Sequence, residues 1–276
     1  MEIRINGQKA YVTIDNEKTI GEVMAGMDEW LANSGHRLSG LSIDGQAADA
    51  SSLEAFFSKA VDKVKEIDIF TSSLAELTSQ TMLNLIGDIE EYEGLNFDEK
   101  SKFCENWKNR AQARFAAEQL PDVFELYANT FSGGSLSPAM LRSITEEWLR
   151  EVEDPAGEFT RINPLLDEIC SRLVDLPLDV QTGKDARAAE TIGIFSGIAE
   201  KIIRIERQLI IQGLLREAGN NEKPVAQLIN EFGGAVKELL EAYERRDSVL
   251  VGDLAEYEIA PKLRELYAAI ENNNRE

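Results

Sequence analysis

The apolar residues of this chain repeat with one period before about residue 73 and with another after it, and that switch fixes most of what the chain can fold into. Glu2 to Asn6 alternates, with Ile3 and Ile5 on one face, which is the period of a half-buried strand. Asn6-Gly7 is a tight-turn dipeptide, and Lys9 to Ile14 alternates again through Ala10, Val12 and Ile14. Two alternating runs around Asn-Gly predict a hairpin. Thr19 followed by Glu22 reads as a capping box. It opens a helix whose periodic residues are Ile20, Val23, Met24, Met27, Trp30 and Leu31, and which Gly35 ends. Leu38, Leu41 and Ile43 predict a further strand closed by Asp44-Gly45. Leu53, Phe56 and Phe57 predict a short helix, and Ile67, Ile69 and Thr71 a last strand.

Hairpin, helix, strand, short helix, strand is an order that resembles the ubiquitin-like β-grasp fold over residues 1–72. The resemblance rests on element order and not on signature residues. It implies a binding module. It does not reach conjugation: a ubiquitin-type modifier carries a free Gly-Gly tail, and this segment runs on through Ser72-Ser73 into a helix. Nor does it reach the iron–sulfur version, which needs a cysteine cluster that residues 1–72 lack.

From Leu74 onward the period is helical. Leu74, Leu77, Met82, Leu85, Ile86 and Ile89 mark one amphipathic helix, and Asp98 to Ala117 a second with Phe103, Trp107 and Phe115. Val123 to Phe131 follows. Ser137-Pro138 starts another helix, with proline at the first helical position, which stops near Asp154-Pro155. One more is predicted around Leu165–Val174, and Leu176-Pro177 is expected to open a break reaching Gly183. The longest helix is expected from Asp185 to Ala218, ended by Gly219-Asn220. The last two run from Pro224 to Arg246, and from Ser248 to about Asn272 with a break or kink at Pro261. Long helices with short connections read as a bundle. The expected class is therefore α+β: a small β-grasp-like domain at residues 1–72, followed by a larger all-helical bundle domain at residues 73–276.

Charge narrows the function. The 276 residues carry 29 basic and 50 acidic side chains, a net charge of −21. Residues 1–73 hold 7 basic and 12 acidic of these, so the acidity is spread along the chain and is no tail. Such a field repels phosphate backbones and anionic lipid, which argues against nucleic-acid and membrane partners. It suits a protein partner with a basic or amphipathic surface. The start Met1-Glu2-Ile3-Arg4 lacks a secretory pattern, no stretch approaches the ~18 apolar residues of a membrane span, and the expected compartment is the cytoplasm. Cys104 and Cys170 read as buried, reduced thiols.

Catalytic patterns fail on spacing. The single histidine, His36, excludes di-iron bundles and zincins, which need two. Gly183-Lys184 lacks the upstream glycine and the following Ser or Thr of a phosphate loop; Asp179 and Asp185 stand there instead. Gly193-Ile194-Phe195-Ser196-Gly197 has its serine one place late for a nucleophile elbow and lies within a helix. No cofactor is expected.

Two candidate sites remain. At about 100° per residue, Glu206 falls near the middle of the apolar arc of its helix, about 20° from Phe195. A carboxylate there needs a partner or a proton. Glu206 with Arg204 and Arg207 is thus a candidate ligand site, set against a structural ion pair. Asp253, Glu256, Tyr257 and Glu258, before Pro261, form a candidate recognition segment. The expected function is a non-enzymatic interaction protein: an adaptor, a scaffold or a chaperone-like holder of amphipathic segments. That predicts exposed apolar surface rimmed by carboxylates. The alternative is a ligand-binding protein or enzyme with its site at Glu206, which predicts an enclosed polar pocket.

Overall fold

The computed structural model describes residues 1–14, 16–48, 53–215 and 223–274. It divides into two compact units, residues 1–85 and 86–276.

The first unit is built on a mixed five-stranded sheet. Strand β1 (Glu2–Ile5) turns at Asn6-Gly7 into β2 (Gln8–Ala10). Asn6 and Gly7 hold φ of 50° and 77°, the paired positive values of a hairpin turn that glycine adopts at no steric cost. Helix α1 (Ile20–Asn33) follows, and its capping box is present: Thr19 accepts from the Glu22 amide while Glu22 accepts from the Thr19 amide. Strand β3 (His36–Ile43) pairs with β4 (Gln46–Ala47), the short α2 (Leu53–Phe57) leads on, and β5 (Glu66–Ser73) closes the sheet. The strand order is β2-β1-β5-β3-β4, with β1 and β5 parallel at the centre. Ile3, Leu41, Ile43, Ile67 and Ile69 meet Ile20, Val23, Met24, Met27 and Leu31 of α1 in one apolar core. β5 passes directly into α3 (Leu74–Gly94).

The second unit is helical among its described residues. It holds the rest of α3, then α4 (Phe97–Trp107), α5 (Ala111–Gln119), α6 (Pro121–Phe131), α7 (Pro138–Glu153), α8 (Pro155–Thr160), α9 (Asn163–Gln181) and α10 (Asp185–Ile211). After these come α11 (Val225–Glu244), α12 (Ser248–Asp253) and α13 (Ala260–Asn274). α10 packs on α8 and α9, α12 on α9, and α11 on α13. Ile169, Leu173, Phe195, Ile202, Phe232 and Leu263 are among the buried residues of that core.

Several expectations need correction. Strand β2 stops at Ala10, so Tyr11–Ile14 lies outside the sheet. The register pairs Ile3 with Ala10, which puts Val12 level with Met1, beyond the paired span. Asp98–Ala117 is two helices, because the chain turns at Lys108–Arg110. Pro177 does not open a break: α9 runs through it to Gln181. The proline ring is accommodated against Gly252 of α12, where side-chain bulk is absent. α10 ends at Ile211, where Gly213 takes φ of 68°; the expected terminator Gly219-Asn220 lies outside the described residues. At Pro261 the chain neither breaks nor ends. One wide turn, Leu254–Ile259, joins α12 to α13 and accommodates the missing N–H of the proline.

Candidate functional site

Four residues of strand-forming type are left over when β2 ends. Tyr11, Val12, Thr13 and Ile14 are aromatic or β-branched, and their backbone groups form no hydrogen bond with any described residue. Tyr11 is 95% exposed. Beside them lies a groove of about 470 Å³, floored by Ile5, Val23 and Met27 and bordered by Val12, Ile14 and Trp30. Trp30 is 55% exposed although it belongs to the apolar series of α1. A shallower depression on the other flank of the segment is lined by Met1, Val12, Ile14 and Val61. Glu17 lines both, and Asp28 and Glu29 stand exposed on α1 beside Met27 and Trp30. Apolar side chains in water, open backbone and the Glu17 carboxylate thus meet in one place.

The residues singled out from the sequence fall elsewhere. Glu206 is buried, 7% exposed, with no hydrogen bond or ion pair among the described residues. Burial pushes its carboxyl above the usual glutamate value, and the charge of Arg207 opposes that only in part. Arg204 does not join it, since two residues along a helix are about 160° apart around the axis. Instead Arg204 holds Glu151 of α7 through two hydrogen bonds of 2.9 Å and lies over the Trp148 ring. Lys201 reaches Glu147 at 2.8 Å and Glu158 at 3.0 Å, and Glu158 also pairs with Arg161. Glu151 and Glu158 are buried. Burial raises the Glu158 carboxyl, but Lys201 and Arg161 outweigh it and hold it below the usual value. These basic residues of α10 look from sequence like a solvated helix face; the carboxylates that receive them arrive from α7 and α8. The network is self-satisfied and has the character of a structural clamp.

The acidic segment is exposed. Tyr257 is 66% exposed on the wide turn, and Glu256 and Asp253 push its phenol up. Glu258 pairs with Lys262 at 3.0 Å. His36 is an exposed residue at the start of β3, its ring Nδ1 2.8 Å from the Ser34 carbonyl. Lys184 and Arg187 both pair with the buried Asp179, which ties the loop expected to fail as a phosphate site. The thiols of Cys104 and Cys170 are free and pushed up by burial. Among the described residues, no cluster of His, Cys, Asp or Glu is arranged to hold a metal ion, and no helix is long and apolar enough to cross a membrane.

Comparison with known proteins adds reach without chemistry. Residues 1–73 match the family described as the TP0873 N-terminal domain, a match that ends with β5. Residues 158–269 match a domain of unknown function, DUF8042. A protein of Treponema pallidum (strain Nichols), described as uncharacterized, is 23% identical over 266 residues, 96% of this chain and 94% of its own length. No solved structure matches the chain.

Proposed function

We propose that this is a non-enzymatic interaction protein, an adaptor, scaffold or chaperone-like holder, whose docking surface is the groove beside Tyr11–Ile14. The observation that carries the reading is the exposure of Tyr11, Val12 and Trp30 around an apolar floor, with Glu17 in the lining. Exposed apolar surface of this kind marks recognition sites. The sheet order, with helix α1 across it, supports a β-grasp-like binding module at residues 1–72, with residues 73–276 as a second, helical module. The net charge of −21 favours a partner with basic or amphipathic surface and disfavours nucleic acid and anionic membrane. Free Cys104 and Cys170 suit a reducing, cytoplasmic compartment.

The test uses two full-length baits in a native lysate: the wild type and Val12→Glu combined with Trp30→Ala. A protein held by the first and lost by the second is the expected result. The same proteins on both baits, or none on either, would overturn the reading. A second reading places a small ligand at Glu206, on the strength of a buried carboxylate with no described partner. It expects Glu206→Ala to remove a ligand that co-purifies with the wild type, and clean mass spectra of both would end it.

A further inference from the structure

We infer that the occupant of the groove is an extended segment of another protein, which adds to the sheet as a strand along Tyr11–Ile14, with apolar side chains toward α1 and lysine or arginine at its flanks. This rests on the reading of the groove as a docking surface and specifies what docks.

Open backbone selects the shape of the partner. Polar main-chain groups are strong donors and acceptors, and an exposed run of them beside an apolar groove can exchange water for the backbone of another chain. An extended segment does so; a helix bonds its own backbone and leaves Tyr11–Ile14 as it was. Sheet edges normally carry a lysine, a proline or a bulge that blocks added strands. The edge strand β2 carries Lys9, but the segment that continues it, Tyr-Val-Thr-Ile, has none of these, and its residues are good strand formers. The groove supplies the second element of strand addition, a place for alternate side chains: Val23, Met27 and Trp30 on α1 receive one face of the incoming segment.

Charge selects the composition. Glu17 is the carboxylate that lines the groove, on a chain of net charge −21. Basic flanks on the segment complement that charge and raise the encounter rate. A second copy of this chain would bring the same carboxylates face to face, which disfavours edge-to-edge pairing of two protomers.

The experiment titrates full-length protein into a fluorescein-labelled synthetic peptide in which Val and Ile alternate with Thr between terminal lysines, read by fluorescence anisotropy. Three controls accompany it: the peptide N-methylated at alternate residues, the peptide with glutamates for lysines, and the protein variant Thr13→Pro. Thr13 has no hydrogen bond to a described residue and lies beyond β2, so its replacement should leave the sheet intact, which circular dichroism verifies. Saturable binding, weakened roughly tenfold or more by N-methylation and by Thr13→Pro, is the expected result. The glutamate peptide should bind more weakly still at low salt. Equal binding of the N-methylated peptide would overturn strand addition while leaving the groove as a docking surface. No binding of any peptide, with partner capture still lost in the Val12→Glu, Trp30→Ala bait, would overturn the extended occupant alone. A wild-type dimer in sedimentation that Thr13→Pro dissolves would assign the edge to a second copy and overturn the inference.

Discussion

The two units treat buried charge in opposite ways. Every charged side chain buried among the described residues, Asp88, Glu151, Glu158, Asp179 and Glu206, belongs to residues 86–276. The core of residues 1–85 is apolar, and its ion pairs, such as Arg4 with Glu2 and Glu66, lie near the surface. What the small unit leaves out of place is apolar: Tyr11, Val12 and Trp30 in water. Size explains the first half of this contrast. A sheet with one helix across it has few elements to bring opposite charges together in its interior, so a buried charge there would stay uncompensated. The helical unit can deliver three or four partners to one carboxylate. Asp88 accepts from the Trp107 indole at 2.8 Å, from Arg110 at 2.6 Å and from Gln112 at 2.9 Å. Buried charge in the second unit is therefore mostly architecture, whereas in the first the exposed apolar residues Tyr11, Val12 and Trp30 gather at one groove.

The largest expected effect breaks this comparison if it fails. Lys201→Met leaves Glu151 and Glu158 buried with the loss of a shared cation, and should destabilise the helical unit by about 3 kcal/mol. Arg4→Met removes a solvent-facing partner of Glu2 and Glu66 and should cost far less than Lys201→Met. Urea titration followed by circular dichroism measures both. Similar losses would mean that the two units hold their charges alike.

Next in size is the contact that lets Pro177 stay within α9. A Cβ at position 252 would stand 2.9 Å from Pro177 Cγ, so Gly252→Ala should lower stability by about 1–3 kcal/mol through overpacking. Gly233 in α11 has nothing within 4 Å of such a Cβ. There alanine should stabilise the helix by roughly 0.5–1 kcal/mol. Thermal melts of the pair separate close helix approach from ordinary helix propensity.

Local chemistry is what the sequence states openly. The Asn6-Gly7 turn, the Thr19–Glu22 capping box and the helix start at Ser137-Pro138 all sit within a few residues of what they decide, and each was readable. Glu206 was readable too, because a 3.6-residue period alone places it among Phe195, Ile202 and Leu209 on a buried face. Contacts between distant residues were not. Pro177 reads as a breaker until Gly252 arrives from 75 residues on, and Arg204 reads as a companion of Glu206 until α7 supplies Glu151. The groove was hidden for the same reason. Tyr11–Ile14 has the pattern of a strand, and only the register of β1 shows that its partner has run out.

The smallest expected effect sharpens the exception within the helical unit. Glu158 and Glu206 are both buried, yet their carboxyls move in opposite directions from the ordinary 4.5. Glu158 has cations beside it, so the folded state binds its proton less tightly than the unfolded chain does. Its contribution to stability is complete above about pH 4.5 and is lost as the pH falls through its lowered value. Glu206 has burial without a described partner, and its sign is reversed. As pH rises through 4.5 the unfolded chain gives up this proton first, so stability falls until the folded carboxyl ionises, and the deficit persists at neutral pH. Glu206→Gln removes that charge. It should raise the urea midpoint slightly at pH 7, with the gain fading as the pH drops below 4.5, where the wild-type carboxyl is protonated in both states. A loss of stability at pH 7 would show instead that the ionised carboxylate is held by a partner beyond the described residues, and retention of that loss only in the presence of a co-purifying ligand would make Glu206 a binding residue.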